Sequence, residues 1–232
     1  MRKHNDESGN TVVMALIVVV GLVIGFAAGR VMSNKSKSTS STGSSSAVAK
    51  PDTATKAADL RSALVTLGVQ HMELTDRAVA AALDGSKDAS AVGAALYTNG
   101  TDIGSAVGSV YGQDAEATFN SVWKLHLDQF VAYAVAGSKG DKAGQDTALK
   151  TIHDSYTVPL AQYLAKANPN LPADVLEKLL GEHVGMTAKM IDDHVAGKYT
   201  DEAADLKAAD SHIVTIFSAL AGGIVKQYPD KF

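Results

Sequence analysis

Seven histidines and no cysteine set the chemistry open to this chain of 232 residues. Without thiols there is no disulfide framework, thiolate metal site or catalytic cysteine. Three of the histidines, His71, His126 and His183, lie 55 and 57 residues apart. A second polar residue follows each at nearly constant distance: Asn99 after 28, His153 after 27 and His212 after 29. Neutral imidazole is a good ligand for zinc, copper or iron. His71, His126, His183 and His212 are therefore candidate metal ligands. Asn99 and Asp102 are candidate oxygen ligands, or groups that orient a ring from behind. Met72, Met186 and Met190 fall near His71 and His183, and sulfur beside imidazole would suit copper. The competing reading is a polar core layer in which the histidines hydrogen-bond to their surroundings. An organic ligand or a pH-sensing cluster are further readings of the same residues.

The elements that must carry these residues are helices. Leu60, Leu64, Leu67, His71, Leu74 and Ala78 are spaced 4-3-4-3-4, one face of a helix. Val92, Leu96, Asn99, Ile103, Ala106 and Val110 repeat that spacing up to Gly112. Asp114 opens a third helix, with Phe119, Val122, His126, Phe130 and Tyr133 on its seam. A fourth spans about 141–168, and Pro159 inside it predicts a kink. Leu171-Pro172 starts a fifth, carrying Leu176, Leu179, His183, Thr187 and Met190. Thr200 is expected to cap a sixth, with Leu206, Ala209, Ile213, Ile216, Leu220 and Ile224. No stretch alternates with the period of a strand. The predicted fold is all-α: three antiparallel αα-hairpins over about 57–112, 114–168 and 172–229. Asp192-Asp193-His194 reads as a solvated helix face.

Ahead of the helical domain, 51–232, the composition changes twice. Residues 1–10 form a short tail, and residues 8–29 carry no charge. As a helix those 22 residues would span about 33 Å, enough for a bilayer core. Residues 11–32 are thus expected to be a single transmembrane anchor in the lipid bilayer, longer than a cleaved signal's apolar core. Gly21, Gly25 and Gly29 would let two such helices approach closely and pair as a homodimer. Residues 33–50 hold eight Ser and two Thr and read as a flexible tether. The Ser/Thr stalk and the lack of cysteine favour an extracytoplasmic domain, although basic residues flank the span on both sides.

The whole chain is −4, but residues 51–232 hold 15 basic against 23 acidic residues and are −8. So acidic a domain without a basic cluster is no nucleic-acid binder. No phosphate loop, dinucleotide fingerprint or nucleophile elbow is present, nor the Glu-x-x-His of helical iron proteins. No nucleophile–base pair marks an enzyme.

Several short motifs occur together: His71-x-x-x-Thr75, Asn99-x-x-Asp102-Ile103-Gly104, Tyr111-Gly112, His126, Asn168-Pro169, His183-x-x-x-Thr187, His212 and the ending Gln227-Tyr228-Pro229-Asp230-Lys231-Phe232. In these the chain resembles a family of small all-helical bacterial proteins, exported or membrane-anchored, over about residues 60–232. The resemblance implies that His71, Asn99, Asp102, His126, His183 and His212 belong together, and it implies no activity. Copper amine oxidase, an enzyme name attached to members of that family, would need a size and an Asn-Tyr-Asp/Glu context that this chain lacks.

Overall fold

The 4-3-4-3 apolar spacing produces the helices it predicts, and their ends follow from the residues at the turns. A computed structural model describes residues 55–232. The tail 1–10, the anchor 11–32 and the tether 33–50 lie outside the described residues. The elements are α1 (Lys56–Leu83), α2 (Ala89–Tyr111), α3 (Gln113–Ser138), α4 (Lys142–Ile152), a π-helical turn (His153–Thr157), α5 (Val158–Ala167), α6 (Ala173–Val195) and α7 (Tyr199–Gln227). With α4, the π turn and α5 taken as one rod, there are six helices, and no strand occurs among the described residues.

Caps and glycines set the boundaries. The Thr55 side chain accepts from the Ala58 N–H at 3.1 Å, and Asp141 accepts from the Gly144 N–H at 2.9 Å. Gly112 is the single residue between α2 and α3, and its φ of 92° is one that side-chain-bearing residues avoid. The last helix starts two residues earlier than expected. Lys198 occupies its cap position and Thr200 lies in its first turn, beside Asp201 and Glu202, whose charges favour the helix N-terminus.

Pro159 acts on the fourth rod differently from a simple kink. Having no N–H and a ring that crowds the preceding turn, it cannot continue a regular α ladder. The chain widens into the π turn just ahead of it, where the Val158 N–H reaches back to the His153 carbonyl. Ile152 takes the inward place before this turn and Tyr156 the inward place within it, while His153 is exposed.

Each rod packs against the next, and α7 returns to pack along α1, so the six close into a ring. Side-chain pairs fix the directions. Arg77–Asp88 and Asn99–Leu67 run α2 antiparallel to α1. Ser105–Glu116 and Tyr97–Asp128 do the same for α3 on α2. His194–Glu202 and His212–Leu179 do so for α7 on α6. Alternate members α1, α3 and α6 also touch one another across the centre. By length and composition α7 could cross a membrane, with a mean hydropathy of 1.4 over its most apolar window. Its apolar residues Ile213, Ile216, Phe217, Leu220 and Ile224 are buried in the common core.

Close helix contact depends on glycine at some positions and not at others. A Cβ on Gly68 of α1 would stand 2.5 Å from Cδ2 of the buried Phe217 of α7, whereas one on Gly181 of α6 meets nothing within 4 Å. Gly68→Ala is therefore expected to destabilise by about 1–3 kcal/mol through overpacking. Gly181→Ala should stabilise by up to about 1 kcal/mol through helix propensity. Thermal melts of the two variants check both signs; a stabilised Gly68→Ala would show that α1 and α7 are not packed as described.

Candidate metal centre

The three seam histidines meet because they sit on the three helices that touch across the ring. His71 comes from α1, His126 from α3 and His183 from α6, and each is at most 2% exposed. One ring nitrogen from each lies within 4.8 Å of one from each of the others. The His71 ring centroid is 5.6 Å from that of His126 and 5.9 Å from that of His183. Five of the six ring nitrogens, both of His126, both of His183 and Nδ1 of His71, are buried without a hydrogen-bond partner among the described residues.

Aromatic rings enclose the group. Tyr156 stacks on His126 at 4.2 Å, and the Trp123 ring stands edge-on to it at 4.6 Å. Trp123 also lies 4.9 Å from His71 and stacks on Phe119 at 5.0 Å. The π turn is what brings Tyr156 to this place. These walls keep water from the rings, and desolvation penalises the charged imidazolium. Burial, with the charge of His183 adding to it, lowers the pKa of His71 to about 3. Burial and the charge of His212 lower that of His183 to about 4. His126 is driven well below its usual value by burial and then by His71 and His183. A contact with the Trp123 backbone works the other way without reaching hydrogen-bond geometry. All three are neutral at neutral pH, the form that binds metal.

The other candidates take different places. The Asn99 amide donates to the Leu67 carbonyl at 3.0 Å, and His212 Nε2 donates to the Leu179 carbonyl at 2.9 Å. Each of those carbonyls belongs to the residue four before a triad histidine. Thr75 donates to the His71 carbonyl and Thr187 to the His183 carbonyl, again at the same offset. Asp102 is exposed on the outer face of α2, in a surface groove with Gln70 and Glu73. His153 does not take the part of Asn99 or His212; it faces outward against Asp154. Met72 and Met190 are core residues, and Met186 is half-buried against the same core.

The segment read as a solvated face is largely buried. Asp193 and His194 are 7% and 6% exposed, while Asp192 stays at the surface and accepts from Tyr133 and Gln145. His194 Nδ1 meets Glu202 at 2.8 Å, where the end of α6 closes on the start of α7 and the end of α1. The spacing of His194 one turn beyond the core residue Met190 was the available signal. No family model, curated protein or solved structure matches this chain.

The neutral triad makes stability depend on pH. The folded-state values of about 3 and 4 for His71 and His183 lie below the ordinary 6.5, so the unfolded chain takes up protons first. Their contribution to stability is complete above about pH 6.5 and is lost as the pH falls towards 4. Asp76 and Asp210 act in the opposite sense, each raised to about 6 by burial and then by Glu202 and Glu73 respectively. Without metal, a His71→Leu, His183→Leu double variant should gain on the parent by about 2 kcal/mol per pH unit between pH 6 and 5. Urea unfolding across that range reads the difference, and parallel profiles would mean that the rings are not held neutral.

Proposed function

We propose that the protein is a membrane-tethered, extracytoplasmic helical binding domain that holds a transition metal ion on His71, His126 and His183. The observation that carries this reading is the meeting, within 4.8 Å, of one ring nitrogen from each of three helices, in rings of which five nitrogens are buried and unpartnered. A hydrogen-bonded core layer, the competing reading, needs bonds that these rings do not make. Leaving a buried polar group unpaired costs about 1–3 kcal/mol, and a metal ion removes that cost for the one nitrogen that each ring gives it. An ion with metal–nitrogen distances of about 2.0–2.1 Å needs its ligand nitrogens about 3.3 Å apart. From separations of up to 4.8 Å, the nitrogens would have to draw together on binding.

Zinc, copper and iron all suit three imidazoles, with copper(II) bound most tightly on general grounds. In this reading Asn99 and His212 are braces: they tie α2 to α1 and α7 to α6 beside the ligands. Asp102 remains on the surface. The bonds of Thr75 and Asn99 in the first hairpin recur as those of Thr187 and His212 in the third, which supports the repeat for those two units. The family resemblance, the anchor at residues 11–32 and pairing through Gly21, Gly25 and Gly29 belong to the proposal as well. The motifs between His71 and Phe232 support the resemblance, and the apolar run ahead of the domain supports the anchor and the pairing.

Full-length protein prepared without an affinity tag should bind one zinc or copper ion per chain. At a hundredfold excess over Kd, the ion should stabilise by about 2.7 kcal/mol. His126→Leu should fold and lose the ion. Absence of stoichiometric metal together with an unchanged melting temperature would favour the structural reading. For orientation, a C-terminal reporter that works only outside the cytoplasm is expected; activity confined to the cytoplasm would reverse it.

A further inference from the structure

The histidine centre is not sealed on every side. His71 and His183 form one end of an apolar cavity of about 70 Å³. Its walls include Ala78, Ala82, Gly93, Leu96, Phe130 and Ala134. On α1 the lining runs from His71 to Leu83, which is roughly 18 Å at the helical rise. The far end lies at Leu83 and Ala89, on either side of the α1–α2 turn. The shape is therefore long and thin. One water-sized group needs about 10–15 Å³ of such volume, so the cavity takes a single file of roughly five to seven.

Polarity is concentrated at the inner end. Besides the histidines, Thr75 and Thr187 line that end, and their hydroxyl protons are committed to the His71 and His183 carbonyls. The Tyr97 hydroxyl, the other polar group of the lining, donates to Asp128 at 2.6 Å. No carboxylate, lysine or arginine lines the cavity. A divalent ion on three neutral imidazoles would place two uncompensated positive charges where water is excluded, an arrangement that needs an anion. His71 and His183 line both the proposed metal position and the apolar cavity, so an anion that fills this cavity as well as balancing the ion would carry an apolar tail. A phosphate or sulfate head would bring further oxygens, and no free donor is there to satisfy them. A carboxylate can place both oxygens on the ion.

We infer that the metal position and the cavity together form a site for a straight-chain monocarboxylate of roughly six to eight carbons, sized by the cavity volume. The head binds the ion between His71 and His183, and the tail runs past Ala78 and Ala82 towards the α1–α2 turn. This inference rests on the metal reading above.

The test uses the full chain in amphipol, so that no detergent tail competes, loaded with cobalt(II) for its visible bands. Acetate, butyrate, hexanoate, octanoate and dodecanoate are titrated in turn. Affinity should rise roughly fourfold for each added methylene and level off near octanoate. Ala82→Phe should leave the cobalt spectrum and the acetate response in place and remove the gain from chain length. Ala82→Leu, a smaller intrusion, should do so in part and serves if the larger side chain disturbs folding. Equal affinity for acetate and octanoate, or chain-length dependence untouched by both variants, overturns the inference while the metal reading stands. Failure of cobalt to bind overturns both.

Discussion

Three imidazoles have been taken out of water at the centre of a helix ring and given almost nothing to hydrogen-bond to. His71, His126 and His183 occupy seam positions where Leu or Phe would fill the same space at no polar cost. Their surroundings are arranged to sustain that condition. Phe119, Trp123, Phe130 and Tyr156 present aromatic surface around them, and these rings neither donate to the imidazoles nor admit solvent. The effect is to hold the rings neutral, with their lone pairs unused. A fold under selection only for a stable core would have no use for such a state, because an unpaired buried polar group lowers stability.

Several polar side chains nearby do find partners, although Asn99 Oδ1 and Trp123 Nε1 are also buried without one among the described residues. Asn99, His212, Thr75 and Thr187 all find backbone carbonyls, either at the triad histidines themselves or one turn before them. These bonds fix the stretches of α1 and α6 that carry two of the rings. The helix of the third is held by other means. Four residues after His126 stands Phe130 where the other two units have Thr, and Tyr156 covers the His126 ring in place of a brace. The π turn ahead of Pro159 is the backbone feature that makes this substitution possible.

The residue pattern exposed most of this architecture and part of the site. A 4-3-4-3 spacing names the buried face of a helix, so it placed His71, His126 and His183 inside before any packing was known. Their near-equal separation put them on alternate rods, and alternate rods of a ring meet at its centre. Packing decisions between helices were not legible. Asn99 and Asp102 are one turn apart on α2, and only the position of α1 determines that one is buried and the other exposed. His153 matched the repeat by number, but Pro159 widened the turn it begins, a consequence that spacing does not carry. The burial of Asp193 and His194 depends on which helix ends close over them, and those ends lie far apart in sequence.

His194 shows what the same side chain becomes when the neighbours differ. It is nearly as buried as the triad, yet it faces Glu202 at 2.8 Å and Asp84 at 3.4 Å, with Asp76 close by on α1. Carboxylates thus stand on two sides of the His194 ring. No carboxylate is among the groups that shift the triad rings, and burial is the largest cause that keeps all three neutral. Two buried histidine environments within one domain therefore differ in what faces the ring. At the triad five of the six ring nitrogens are unpaired among the described residues, and the metal ion proposed above is the occupant that would use them. The cavity leading from His71 and His183 is lined by no carboxylate, so under that proposal the counter-charge of the ion would have to come from outside the protein.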